Sequence, residues 1–390
     1  MNKDKIIPIK SIGLALSPDN TPTFLLDWEI TKRCNLDCSY CSTDPIWGGH
    51  VNSSAQSTLE DCLKSIDFMY EYIDLYMDHK KHTQRKVILN IYGGESLFHP
   101  NIIEILIACR EKYKNYSSRW ELTITTTTNA IITKRIWNNI ISLVDEFTVS
   151  YHAENLEKQE KLFFNNLLSL KNSNKRVKCV IMMHYLPDKW KKSMSAIKFC
   201  QDNNIRHIAK PLDNPDVYYN NDQFEYMKNF WLNNTNQKNV EESKERLKKI
   251  NKKSNIISIN EGRACCGGRK LSINNSLKSS ITFVSKQGFS GWYCSVNWFF
   301  LFVQQTTGDV YTNKDCRTSL NSKIEPLGNL QSSDKMLLTL KTMLDNKSIP
   351  VIQCIKSICL CGYCAPKAED ISDFKELISR NVVTDVIKYE

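Results

Sequence analysis

Three cysteines lie close together near the start of the chain, at Cys34, Cys38 and Cys41. They directly follow an apolar stretch, residues 24–30, so we expect them on a loop at the end of a strand. Three thiolates on one tight loop can hold three corners of a cubane iron–sulfur cluster. Structural zinc sites are closed by four ligands, whereas three thiolates leave one iron of a cubane open for a small molecule. The alternatives are a zinc knuckle or three cysteines that share no ligand.

The spacing Cys-x3-Cys-x2-Cys, with the aromatic Tyr40 before the last cysteine, resembles the signature of the radical S-adenosylmethionine (SAM) enzymes. The resemblance implies a [4Fe–4S] cluster on Cys34, Cys38 and Cys41, with SAM bound to the open iron. It also implies that one electron cleaves the sulfonium of SAM and yields a 5′-deoxyadenosyl radical, which abstracts a hydrogen atom from the substrate. In such an enzyme the cofactor carries the difficult chemistry, and the protein positions and encloses it.

Polar residues at three later strand ends complete the expected cofactor site. Gly93, Gly94 and Glu95 follow a predicted strand, where glycines let the backbone approach a ligand and a carboxylate suits an ammonium group. In the family that the triplet resembles, such strand ends contact the amino group, the ribose and the carboxylate of SAM. The resemblance therefore implies a cofactor-binding set of Tyr40, Gly93, Gly94, Glu95, Thr128, Asn129, Ser150 and His152.

A second population of cysteines lies in the last third of the chain, around a predicted β-hairpin. The apolar segment 298–303 and a return strand after the Gly308-Asp309 turn predict this hairpin. The arrangement resembles the SPASM domain, or its shortened form twitch, which binds auxiliary [4Fe–4S] clusters. The last four cysteines, at Cys-x4-Cys-x-Cys-x2-Cys, depart from the usual spacing, so one cluster, two clusters or a zinc site all stay open. The implied ligands are Cys266, Cys294, Cys316, Cys354, Cys359, Cys361 and Cys364.

Six predicted strands alternate with helices between residue 23 and about residue 210. This alternation predicts a parallel sheet with right-handed crossovers, but it does not separate a doubly wound sheet from an open barrel. The resemblance favours an α/β fold in which a partial (β/α)6 TIM-like barrel carries its site at the C-terminal strand ends. A smaller C-terminal α+β domain would contain the hairpin and the cysteine-rich auxiliary-cluster site. The expected divisions are an arm over 1–22, the core over 23–220, a polar linker or helix over 221–260 and the auxiliary domain over 261–390.

Composition narrows the class of protein. The 390 residues are 41% hydrophobic and carry a net charge of +10, which scattered lysines produce. The scatter favours a solvated surface, so we do not expect nucleic acid as a partner. Without a run of 18 apolar residues or a secretory signal, we expect a cytoplasmic protein with no membrane partner. Clustered cysteines in such a protein favour metal ligation over disulfide bonds.

The sequence leaves the identity of the substrate undecided. The resemblance implies a radical SAM oxidoreductase of the maturase type, which modifies a peptide or protein side chain by cross-linking, epimerisation or oxidation. Only 33 residues precede Cys34, too few for a separate leader-binding domain, which weakens the peptide hypothesis. The alternatives are oxidation or rearrangement of a small polar metabolite, sugar-like or nucleoside-like, and a non-catalytic iron–sulfur electron-transfer protein. The expected reductant is a flavodoxin or ferredoxin.

Overall fold

The computed structural model describes most of the first 234 residues and shorter parts of the rest. The described residues are 11–12, 23–41, 56–78, 86–212, 219–234, 270–271, 283–284, 291–294, 296, 300–312, 326–346, 349–350, 352–353, 367–368, 370–372, 374 and 387–388. No helix among them is long and apolar enough to cross a membrane.

Strands and helices alternate through the first 234 residues, as the sequence predicts. The elements are β1 (Thr23–Thr31), α1 (Leu59–Asp78), β2 (Lys86–Gly93), α2 (Ile102–Tyr113), β3 (Glu121–Thr128), α3 (Lys134–Leu143), β4 (Glu146–Tyr151), α4 (Glu157–Asn172), β5 (Arg176–Met183), α5 (Pro187–Asp202), β6 (His207–Pro211) and α6 (Asn221–Asn234). Strands β1 to β6 pair in parallel and in chain order. This arrangement of β/α units is a partial TIM barrel, so the predicted fold class is confirmed.

Strand β4 illustrates how the sequence divides its side chains between the two faces of the sheet. Phe147, Val149 and Tyr151 are buried, and the Tyr151 ring packs against Phe163 of α4 at a centroid distance of 5.2 Å. Because successive side chains of a strand point to opposite faces, the half-buried Ser150 faces the barrel interior instead. Burial of each such large side chain under the helices contributes about 2 kcal/mol.

The predicted hairpin is confirmed, and it joins the barrel sheet. Strands β7 (Phe300–Gln304) and β8 (Asp309–Tyr311) are antiparallel, β9 (Gly328–Asn329) follows β8, and helix α7 covers Ser333–Asp345. Strand β7 also pairs in parallel with β1, which gives a nine-stranded sheet in the order β9-β8-β7-β1-β2-β3-β4-β5-β6. Two buried side-chain hydrogen bonds connect this junction, from the Trp28 indole to Gln305 (2.8 Å) and from the Gln304 amide to Glu29 (3.0 Å). The sequence prediction contained no pairing between the hairpin and the barrel.

A separate small sheet combines one short strand near the N-terminus with three short strands from residue 293 onward. Its four antiparallel two-residue strands are, in order, Ser11–Ile12, Lys367–Ala368, Tyr293–Cys294 and Ile352–Gln353. The predicted domain boundaries, including the linker over 221–260, stay predictions because most of their residues lie outside the described ranges.

Candidate active site

The loop of residues 32–41, called the cysteine loop below, follows β1 at the C-terminal edge of the parallel strands. Its first half is held by backbone hydrogen bonds from the end of β2, in which Gly94 N–H donates to Thr31 O (2.9 Å) and Glu95 N–H to Arg33 O (2.8 Å). A Cβ atom on Gly94 would lie 2.4 Å from Arg33 O, and one on Gly93 would lie 2.0 Å from Thr31 O. Because neither glycine has a side chain, the backbone of Thr31 and of the cysteine loop can lie directly against the end of β2. Their expected approach to SAM stays a prediction.

Two asparagines fix the backbone beside Cys34. The Asn129 side chain, at the end of β3, donates to Asn35 Oδ1 (2.7 Å), and Asn35 donates to the Ile131 carbonyl (2.8 Å). The Leu36 N–H points at Cys34 Sγ at 3.4 Å. Asn129 was a predicted site residue, whereas Asn35 was missed although it lies inside the cysteine motif.

The Glu95 carboxylate is buried, and both of its oxygens accept hydrogen bonds from the protein. Oε1 accepts from Leu97 N–H (3.0 Å) and from the Thr128 hydroxyl (2.8 Å), and Oε2 accepts from Asn129 N–H (2.6 Å). Burial raises the pKa of Glu95 to about 7, because the hydrogen bonds only partly offset the loss of water. These contacts tie the end of β2 to the end of β3. The predicted contact between this carboxylate and an ammonium group of SAM stays a prediction.

The second half of the cysteine loop is held by side chains from the end of β4. The Tyr40 hydroxyl lies 2.7 Å from His152 Nδ1, and the same nitrogen lies 3.6 Å from Cys38 Sγ. Burial lowers the pKa of His152 to about 4, so the imidazole is neutral near pH 7, and its tautomer decides which partner donates in this hydrogen bond. Tyr40 and His152, both predicted site residues, therefore contact each other, and Ser150 lies two residues before His152 on the strand's interior face.

A carboxylate outside the predicted set also holds this half of the loop. Glu154 accepts hydrogen bonds from the backbone N–H (2.7 Å) and the hydroxyl of Ser39, and it lies 3.2 Å from Nε2 of the buried His184 after β5. The sequence interpretation assigned no role to Ser39, Glu154 or His184. Their positions carried a usable signal, since Ser39 lies inside the motif and the other two follow the ends of adjacent parallel strands.

The three cysteines lie on one short loop, as the ligands of a cubane cluster do. None of the three forms a disulfide bond, and a hydrogen bond from Cys41 N–H to Cys38 O (2.9 Å) closes a tight turn between the last two. Burial raises the pKa of Cys34 to about 11 and that of Cys38 to about 12, and each is raised further by the neighbouring thiols. Within the described residues, no three His, Cys, Asp or Glu side chains are gathered around one ion position.

Of the predicted auxiliary ligands, only Cys294 falls in the described part of the chain. It lies on a short strand and is buried beside Val296 and Phe300. The other predicted auxiliary ligands, which lie outside the described residues, are Cys266, Cys316, Cys354, Cys359, Cys361 and Cys364.

Comparison with known proteins identifies the domain. Residues 28–208 match the family model of the Radical SAM superfamily. No curated protein matches the chain. Among solved structures, native anSMEcpe with bound AdoMet and Cp18Cys peptide is similar at 14% identity and a TM-score of 0.48, covering 81% of this chain and 80% of that one. A histidine-tagged anSMEcpe with bound AdoMet matches at 15% identity and a TM-score of 0.48, covering 81% and 77%. The family match means that residues 28–208 form a radical SAM domain, which implies an enzyme that uses a [4Fe–4S] cluster and SAM.

Proposed function

We propose that this protein is a radical SAM enzyme whose cluster is held by Cys34, Cys38 and Cys41. The observation that carries the proposal is the cysteine loop itself, which places three cysteines, none of them in a disulfide bond, at the C-terminal edge of a parallel barrel. Cys34 and Cys38 are protonated near neutral pH because burial raises the pKa of both thiols, so metal binding must displace their protons.

When bound, the cluster and SAM supply a one-electron cleavage that yields a radical able to take a hydrogen atom from the substrate. The protein positions these groups. Asn35 and Asn129 orient the Cys34 end of the loop, and Tyr40 and His152 orient the Cys38 end. Ser150 faces the barrel interior, where the substrate would be shielded from water. The proposed SAM contacts are those expected from the sequence: Tyr40, Gly93, Gly94, Glu95, Thr128, Asn129, Ser150 and His152.

For the substrate we propose a peptide or protein side chain, which the enzyme would cross-link, epimerise or oxidise. This part rests on the resemblance of the hairpin and the cysteine-rich tail to the SPASM and twitch domains. The hairpin strand β7 lies directly beside β1, the strand that leads into the cysteine loop. One or two auxiliary [4Fe–4S] clusters, a flavodoxin or ferredoxin reductant and a cytoplasmic location belong to the same proposal.

The test uses anaerobically reconstituted full-length protein with SAM and dithionite. We expect 5′-deoxyadenosine from the wild type and none from a variant with Cys34, Cys38 and Cys41 all replaced by Ala. Its matched control replaces Cys62, Cys109 and Cys200, three buried cysteines on helices α1, α2 and α5, by Ser and should keep the product. Iron analysis should find about eight or twelve irons per chain if one or two auxiliary clusters bind.

Two outcomes would change the proposal. Wild-type protein that holds clusters but makes no 5′-deoxyadenosine would favour the electron-transfer alternative. To separate the substrate classes, Ser- and Cys-containing peptides and a panel of sugars and nucleosides are added in parallel reactions. Product formation stimulated by the small molecules, with no mass change in any peptide, would contradict the peptide assignment.

A further inference from the structure

Strand β6 carries an exposed lysine near its C-terminal end, on the inner face of the barrel. Lys210 is exposed, whereas its neighbours Ala209 and Pro211 are buried on the side that helices α5 and α6 cover. Because successive side chains of a strand point to opposite faces, Lys210 points into the barrel. Strand β6 also forms one edge of the nine-stranded sheet, where it pairs with β5. The ammonium group therefore lies on the interior side of the barrel, at an edge that solvent reaches.

The strand register places Lys210 level with the second half of the cysteine loop. Met182 of β5 pairs with Lys210. The register of β4 against β5, continued one residue past its last pair, brings His152 level with Met182. The backbone of Lys210 therefore lies two strand spacings, about 10 Å, from that of His152. Since His152 contacts Tyr40 and lies 3.6 Å from Cys38 Sγ, the lysine borders the space in front of the cysteine loop.

Charge is distributed unevenly over the inner face of the barrel. Among the described inner-face positions in the C-terminal halves of β1 to β6, Lys210 is the only lysine or arginine. The carboxylates on the inner face of β1 accept hydrogen bonds from neighbouring strands, Asp27 from the Asn90 amide (2.9 Å) and Glu29 from the Gln304 amide (3.0 Å). An anionic group that enters the barrel is therefore attracted to the β6 side and repelled from the β1 side.

We propose that Lys210 is a specificity-determining residue that binds a carboxylate of the substrate peptide. This inference rests on the proposed function and deepens it, since a peptide in the barrel offers a carboxylate as its anionic group, from an acidic side chain or from its C-terminus. An ammonium on a long, flexible stem suits such a ligand, because it binds as a point charge and needs no fixed orientation. The competing ligand for Lys210 is the carboxylate of SAM, and the test separates the two.

The test measures how well reconstituted full-length protein with bound SAM retains three peptide pools during ultrafiltration, with quantification by mass spectrometry. Each pool has a central Cys or Ser among randomised neutral residues. The first pool carries Asp near the centre and an amidated C-terminus, the second carries Asn in place of Asp, and the third is the Asn pool with a free C-terminal carboxylate. We expect the wild type to retain one carboxylate pool about fivefold better than the amidated Asn pool.

Three variants assign this preference to one side chain. Lys210→Gln removes the charge and should retain the three pools equally, whereas Lys210→Arg keeps the charge and should keep a preference. The matched control is Lys198→Gln, which removes an exposed lysine that pairs with Asp202 on α5 and should leave the preference unchanged. The affinity of each variant for SAM is measured in parallel by equilibrium dialysis.

Each outcome decides the inference. Equal retention of the three pools by the wild type would overturn it, and so would a preference that persists in Lys210→Gln. Equal loss in Lys210→Gln and Lys198→Gln would show an effect of net charge alone. Loss of SAM affinity in Lys210→Gln with an unchanged peptide preference would assign the ammonium to SAM and overturn the peptide contact. Failure of the proposed function is distinguishable, because it is wild-type protein that makes no 5′-deoxyadenosine, whereas the pools are scored by binding.

Discussion

The two halves of the cysteine loop are held in different ways. The first half is fixed by backbone hydrogen bonds to the end of β2, at a contact too close for any side chain on Gly93 or Gly94. The second half is fixed by side chains that follow β4, through Tyr40 to His152 and Ser39 to Glu154. The first half therefore has one permitted geometry. The second half is held by side-chain hydrogen bonds, which single substitutions can remove without forcing backbone atoms together.

The largest effect is expected where the backbone contact is closest. Gly94→Ala would place a Cβ atom 2.4 Å from Arg33 O, and neither backbone can yield without moving a strand end. We expect a loss of about 3 kcal/mol or more in the free energy of unfolding, together with loss of bound iron. Denaturant unfolding and iron analysis would measure both.

The matched control for this variant is Gly308→Ala in the hairpin turn. Gly308 has a φ of 75°, which Ala adopts at a cost of about 1 kcal/mol, and its new Cβ would meet only the Asn329 side chain. This variant should lose a little stability and keep the iron of its cysteine loop. Wild-type iron content in Gly94→Ala would contradict the account of the first half.

An intermediate effect is expected from Glu95, in the form of a pH dependence. Its pKa is about 7 in the folded protein against an ordinary value of 4.5, so the unfolded chain loses this proton at lower pH than the folded chain does. The wild type should therefore lose stability as pH rises from about 4.5 to about 7, by about 3 kcal/mol relative to Glu95→Gln. Unfolding of both metal-free proteins across this range would measure the difference. A pH-independent difference would show that burial does not perturb this carboxyl.

The smallest effect is expected in the second half of the loop. Tyr40→Phe keeps the ring but removes the hydrogen bond to His152, which should cost about 1 kcal/mol in the free energy of unfolding. We expect iron content to stay near that of the wild type, measured alongside Gly94→Ala. Complete loss of iron in Tyr40→Phe would mean that both halves are equally rigid, and the comparison between them would fail.

Local patterns predicted the alternation of strands and helices, whereas the choice of a partial barrel came from the family resemblance. The six strands expected between residue 23 and about residue 210 are all found, from Thr23–Thr31 to His207–Pro211, with helices between them. The hairpin was predicted for the same reason, since Gly308-Asp309 is a local turn signal. Its parallel pairing with β1 was not, because this pairing joins strands separated by more than 270 residues and depends on a sheet edge that only the assembled barrel presents.

The sequence analysis named the cysteines and the polar residues at the strand ends. It did not predict the contacts that hold the cysteine loop. Tyr40, Asn129 and His152 were identified from the family pattern, and the structure brings all three to the cysteine loop. The contact between Ser39 and Glu154 spans 115 residues and depends on the register of β4 against its neighbours, which no local pattern encodes. Gly93 and Gly94 were predicted to contact SAM, which stays a prediction, and their close neighbour among the described residues is the backbone of Thr31 and the cysteine loop.

The central claim is that the cysteine loop holds a cluster with one iron open to SAM. The most direct measurement is the electron paramagnetic resonance (EPR) spectrum of the reduced cluster before and after SAM is added. It uses a variant in which six predicted auxiliary-cluster ligands are replaced by Ala, namely Cys266, Cys316, Cys354, Cys359, Cys361 and Cys364. The account predicts that about four irons per chain remain and that SAM changes the spectrum, because its amino and carboxylate groups bind the open iron. A cluster spectrum that is identical with and without SAM would contradict the account.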